Sequence, residues 1–141
     1  INNGVVEQLG TPKDIYSKPN TKFVAEFIGS PQMNLFNCKI ENGVAIIDNK
    51  KINLDKSINI EDACIGVRPD DIQISENGQY SSVANLVEYL GSEMIIYSTI
   101  GNQQFSCKLS SKIELKAGEN FNFDIIPSTV HVFDNNTGLR V

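Results

Sequence analysis

In the second half of the chain, apolar and polar residues alternate with a period of two. Phe105, Cys107 and Leu109 interleave with Gln104, Ser106 and Lys108, and Phe121, Phe123 and Ile125 interleave with Asn122 and Asp124. Successive side chains of a strand point to opposite faces, so each run predicts a strand with one buried face. Val83–Leu90 and Met94–Ile100 are rich in β-branched and aromatic residues and predict further strands. Turn-forming residues separate these runs at Asn42-Gly43, Asp48-Asn49, Asn77-Gly78, Gly101-Asn102, Ala117-Gly118 and Asp134–Gly138. Short strands punctuated in this way predict an all-β barrel or sandwich after Leu35.

The first thirty residues have a different texture. Gly4–Gly10 predicts a short strand bounded by glycines. Thr11 can accept an amide hydrogen bond as N-cap, Pro12 suits the first helical position, and Asp14 stands in the electropositive first turn. Pro19 ends that helix, and Asn20 can cap a second one. Phe23, Val24, Phe27 and Ile28 fall on one face of that second helix and predict its buried side. Gly29 stands where a left-handed residue closes a helix, with Pro31 just beyond.

Composition narrows the function. The 141 residues carry 12 basic and 17 acidic side chains, a net charge of −5, and 40% are hydrophobic. That is the balance of an ordinary folded domain. Neither a basic stripe for nucleic acid nor a polybasic patch for a membrane surface is present. No apolar run approaches the roughly 18–20 residues that span a bilayer. The chain begins with Ile1 and is expected to be part of a longer protein. Cys38, Cys64 and Cys107 form no Cys-x-x-Cys pair. They are read as structural thiols in a reducing compartment.

Catalytic signatures are absent from the sequence. No Gly precedes a Lys, so a P-loop is excluded, and no Gly-x-Gly-x-x-Gly occurs. The single histidine, His131, lies in the strand-like run Val130–Phe133 and is read as structural. Glu61-Asp62 and Asp70-Asp71 are adjacent pairs whose side chains diverge, so they do not form an acid/base couple. The expectation is a chain that is not itself an enzyme and holds no catalytic residue, metal or cofactor.

Five stretches together resemble one family. Residues 4–16 read GVVEQLGTPKDIY, and residues 23–34 read FVAEFIGSPQMN. Residues 65–72 read IGVRPDDI, residues 89–93 read YLGSE, and His131–Asp134 is followed by Thr137-Gly138. In this order they resemble the C-terminal regulatory region, the TOBE (transport-associated OB) domain, of ATP-binding subunits of ABC importers of the maltose, glycerol-phosphate and multiple-sugar type. The form Ser30-Pro31-x-Met33-Asn34 is similar to the carbohydrate branch; Asp70 stands where Glu is common.

The resemblance implies an all-β, OB-like barrel of TOBE type with two short helices near the N-terminus. It implies that residues 1–29 are the tail of a nucleotide-binding domain with connecting helices, and that residues 30–141 are the regulatory domain. It places Walker, signature and His-loop motifs, with ATP and Mg, elsewhere in the parent subunit. It implies a homodimer, transmembrane permease partners, a regulatory protein partner and a position on the inner face of the cell membrane. Phe27, Ser30, Pro31, Met33 and Asn34 become candidate dimer or partner contacts, or simply a helix end packed on the barrel. Arg68 and Asp70 belong either to a turn or to a surface for a partner or oxyanion. Ser92 and Glu93, in the Leu90–Glu93 stretch, form a turn or a ligand contact, and His131 is a further candidate contact. Two readings follow: an interaction module holding two ATPase subunits together, or a sensor of a small ligand such as a sugar or oxyanion, in an importer of another substrate such as a polyamine or an anion, using Arg68, Ser92, Arg140 and side-chain amides.

Overall fold

Asn120–Ile125 folds as its alternation predicts, with Phe121, Phe123 and Ile125 buried and the residues between them half-exposed. A computed structural model of the chain describes residues 4–6, 8–29 and 31–141. After helices α1 (Pro12–Ser17) and α2 (Lys22–Phe27) come β1 (Asn34–Glu41), β2 (Val44–Ile47), β3 (Lys50–Asn53), β4 (Ile60–Val67) and β5 (Ile72–Ile74). They are followed by β6 (Tyr80–Val83), β7 (Leu86–Leu90), β8 (Glu93–Ile100), β9 (Gln103–Ser110), β10 (Asn120–Ile125) and β11 (His131–Asp134).

The strands form three sheets, in the orders β11-β4-β1-β2-β3, β5-β10-β6 and β7-β8-β9. All of their pairings are antiparallel. The turn between β1 and β2 places Asn42 at φ 49° and Gly43 at φ 74°. Two consecutive left-handed residues match the right-handed twist of the flanking strands, which is why Asn-Gly stands there. One apolar core joins the sheets, with Phe36, Phe105, Phe123 and Phe121 stacked through ring centroids 5.6–5.8 Å apart.

Several expectations change. Residues 4–6 and 8–10 form no strand; Glu7 lies outside the described residues. The second helix is capped by Thr21, one residue later than expected, whose hydroxyl accepts the Val24 N–H at 3.1 Å. Its buried residues are Val24 and Ala25, whereas Phe27 is 65% exposed and packs on Phe23. The reason is the narrow seat: α2 meets the barrel through a small cluster of Ala25, Met33, Cys64 and Phe133. The predicted strand Val83–Leu90 breaks at Ala84-Asn85. There the Ala84 N–H turns to the Glu119 carbonyl and the Asn85 N–H to the Tyr97 carbonyl, so the chain leaves one sheet for another. Ser106, expected to point outward, is buried.

Candidate functional site

Two structural features stand out, and each depends on polar side chains that replace backbone pairing. The first is a seam between β1 and β9, which are neighbours in space but are not paired as strands. The Asn34 amide bridges it, donating through Nδ2 to the Ser106 carbonyl at 2.8 Å while Oδ1 accepts the Ser106 N–H at 2.8 Å. Three residues further along β1, the Gln103 amide does the same for Asn37. Its Oε1 accepts the Asn37 N–H at 2.7 Å and its Nε2 donates to the Asn37 carbonyl at 2.9 Å. A side-chain amide carries the same donor and acceptor as a peptide, so it closes the ladder while holding the strands further apart. A groove of about 510 Å³ opens over the seam, lined by residues of 31–35, 85–86, 97–99 and 104–106.

The second feature is a pair of arginine latches that fasten the N-terminal arm to the barrel. Arg68, at the end of β4, is 3% exposed. Its guanidinium donates to the carbonyl of Ile28 and, at 2.8 Å, to the carbonyl of Tyr16, and lies 4.0 Å from the centre of the Tyr16 ring. Burial lowers its pKa from the ordinary arginine value, and its Nε has no partner among the described residues. Gly29 is required beside it: the residue has φ +106°, and a Cβ there would stand 2.8 Å from the Arg68 Nη1. Arg140 is the second latch, donating through Nε to the Pro19 carbonyl at 2.8 Å and through Nη2 to His131 Nδ1 at 2.9 Å. Burial and then the Arg140 charge push His131 down to about 4, so it is a neutral acceptor at pH 7.

The predicted site residues separate accordingly. Met33 and Asn34 are buried and, with the half-buried Pro31, line the groove, while Phe27 stands exposed on the arm. Ser30 lies outside the described residues. Asp70 is exposed in the turn Pro69–Asp71 that follows Arg68. Ser92 and Glu93 are exposed at the β7–β8 turn, where Gly91 has φ +79° and Glu93 Oε2 lies 3.7 Å from Lys108 Nζ. They are not brought onto the Asn34 groove. Sequence reasoning missed Tyr16, Gln103 and the carbonyl targets of both arginines. The signal available was usage: the chain has ten Lys and only two Arg, and both Arg serve as forks, Arg68 buried and Arg140 half-buried. The Cys38 and Cys107 thiols are pushed up to about 12 and that of Cys64 to about 11, chiefly by burial, so none is a thiolate nucleophile.

The family profile described as "TOBE domain" matches residues 65–133, from the middle of β4 to β11. The chain carries a TOBE domain. Its mostly-β build is that of an OB-like TOBE fold, and β1–β3, which precede the match, complete its largest sheet. Over its full length the TOBE chain is 32% identical to the oligosaccharides import ATP-binding protein of Bacillus subtilis, covering 43% of that protein. It is 34% identical to an sn-glycerol-3-phosphate import ATP-binding protein of Agrobacterium fabrum, covering 40%, and 31% identical to that of Escherichia coli, covering 42%. In each case all of this chain is matched, and the chain spans about two fifths of the relative's length.

Proposed function

We propose that the chain is the regulatory and dimerisation domain of the ATP-binding subunit of an ABC transporter that imports carbohydrates of the sugar or glycerol-phosphate type. The observation that carries this reading is the alignment of the whole chain with import ATP-binding proteins, of which it represents only 40–43%. The TOBE match within that alignment supports reading it as the region beside the nucleotide-binding part. Residues 1–29 are then the tail of the nucleotide-binding domain with its connecting helices, and residues 30–141 the regulatory domain. ATP and Mg belong to the rest of the subunit, which sits at the inner face of the cell membrane on its permease partners and receives a regulatory protein.

The arm supports the same reading. Val5, Val6 and Leu9 are 61, 54 and 85% exposed, a concentration of bare apolar side chains on one short segment. Burial against the remainder of a longer subunit removes that surface from water. The mechanism is tethering. Two ATPase domains that part after hydrolysis lose their shared surface, and a second contact that persists keeps their effective concentration high. The alternative reading as an oxyanion sensor is less well supported, because Arg68 and Arg140 direct donors to the chain's own carbonyls.

The test compares the full-length subunit with a form lacking residues 30–141. Both are expected to bind ATP, and only the full-length form is expected to pair in the absence of nucleotide. A truncated subunit that pairs as tightly without nucleotide overturns the tethering role.

A further inference from the structure

We propose that the groove over the β1–β9 seam binds a neutral, polyhydroxylated small molecule, a mono- or disaccharide. This goes beyond the tethering role and does not depend on it.

Size is the first consideration. The groove measures about 510 Å³, inside the range of about 300–1,000 Å³ typical of small-molecule sites. Charge is the second. None of its thirteen lining residues among the described residues is ionisable at neutral pH, in a chain of which 21% of residues are charged. A phosphate, sulfate or carboxylate would find no Arg or Lys to pair with, and anion recognition depends on such groups. A cation would likewise find no carboxylate.

The lining is nonetheless polar. Gln32, Tyr97, Thr99 and Gln104 supply amides and hydroxyls around the apolar floor of Met33 and Phe105, while the Asn34 and Ser106 side chains are taken up by each other and by the bridge. The seam adds backbone groups. Asn37 shows which edge of β1 faces β9, since both its N–H and its C=O meet the Gln103 amide. Leu35, two residues earlier, therefore presents its own N–H and C=O to the same edge. By the same alternation Gln104 presents its backbone groups from β9, two residues from the Ser106 pair held by Asn34. Strand pairing would normally consume these groups, but the two amide bridges hold the strands apart. A mixed array of donors and acceptors without charge matches sugar hydroxyls, each of which donates once and accepts twice. The half-buried Tyr97 ring offers a flat apolar wall for the C–H face of a sugar ring.

The experiment is an amide NMR titration of the 141-residue chain with maltose and, in parallel, with sodium sulfate. Maltose is expected to shift the amides of Leu35, Gln104 and Ser106 saturably, with a Kd at or below about 1 mM, while sulfate leaves them in place. Gln104 is exposed, so Gln104→Glu should keep the fold yet weaken maltose binding by at least about tenfold by placing a charge in the groove. Tyr97→Leu should weaken it similarly. Absence of saturable shifts at these amides overturns the proposal, as does sulfate displacing them in preference to maltose. Shifts there that follow protein concentration rather than maltose would assign the groove to a second copy of the chain and equally overturn it. None of these results bears on whether residues 30–141 tether the subunit.

Discussion

Replacing Arg68 by methionine should release the N-terminal arm while leaving the barrel folded. The substitution keeps much of the side chain's length and apolar stem but removes both bonds to the arm, at Tyr16 and Ile28, and the contact with the Tyr16 ring. Hydrogen bonds to a charged group contribute about 1.5–3 kcal/mol each, and the ring contact about 0.5–1. Against these stands the cost of keeping a guanidinium out of water, several kcal/mol for a side chain this buried. The net loss is about 2–4 kcal/mol, and it falls on the arm, because the other end of the latch is a strand held in place by β1 and β11. Hydrogen exchange reads this directly. The Lys22 N–H bonds across to the Gly138 carbonyl, a bond lost if the arm swings away. The Ala25 N–H bonds to the Thr21 carbonyl within α2, a six-residue helix too short to persist without its seat. Their protection should fall about 30- to 900-fold, the loss expressed as a ratio of populations, while β8–β9 amides keep theirs. Arg68→Lys should recover little, because a shorter ammonium lacks the planar fork that spans the Tyr16 and Ile28 carbonyls and stacks on the Tyr16 ring. Unchanged protection at Lys22 and Ala25, or an equal fall in β8 and β9, would refute the latch.

Phe123→Asp should unfold the barrel or cost more than about 4 kcal/mol, since Phe123 is fully buried and an unpaired charge would replace it. Asn122→Asp gives up only an exposed bond to the Glu76 carbonyl and should cost about 0.5–1 kcal/mol; equal urea midpoints for the two variants would contradict the facing of β10. His131 titrates in the folded chain at about 4, below its unfolded value of about 6.5, so the unfolded state binds its proton first. Its contribution to stability is therefore complete above about pH 6.5 and is lost as pH falls towards about 4, while Asp71, raised by burial, slopes the opposite way at the acid end. The urea midpoint should decline over that window more steeply in the native chain than in His131→Gln, and parallel curves would contradict the neutral His131–Arg140 bond. The 141-residue chain should neither bind nor hydrolyse ATP, for want of a P-loop; saturable binding of a fluorescent ATP analogue would overturn that.

Strand positions were legible wherever one face is apolar. Phe121, Phe123 and Ile125 declare their facing through period two alone, and Asn42-Gly43 declares its turn through the backbone conformation it permits. The arm was less legible because its burial is decided by what it meets. Nothing in residues 22–28 says that the seat on Phe133, Cys64 and Met33 has room for Ala25 but leaves Phe27 in solvent. The groove was hidden for a related reason. Asn34 and Ser106 are 72 residues apart, and no local pattern reports that an amide will stand in for a missing strand. Ser106 looked like the solvent side of an alternating strand, yet the Asn34 bridge covers that side. Arg68 was read either as part of a turn or as a fork for a partner or oxyanion; its fork is present, but it meets two carbonyls at helix ends.

Pairing without nucleotide is the property on which the proposed role depends. A contact able to persist while the ATPase domains separate should bury at least about 1,000 Å² and have two-fold symmetry. The exposed Phe27 and the neighbouring Pro31 are available for it; Met33 and Asn34 are already covered. Because permease subunits would hold two copies close in the parent, the isolated contact is expected to be micromolar rather than nanomolar. Sedimentation equilibrium of the 141-residue chain from about 5 to 500 μM, without ATP, brackets that affinity. The account predicts a concentration-dependent shift from monomer to homodimer over that range. A single 15.6 kDa species throughout would contradict it.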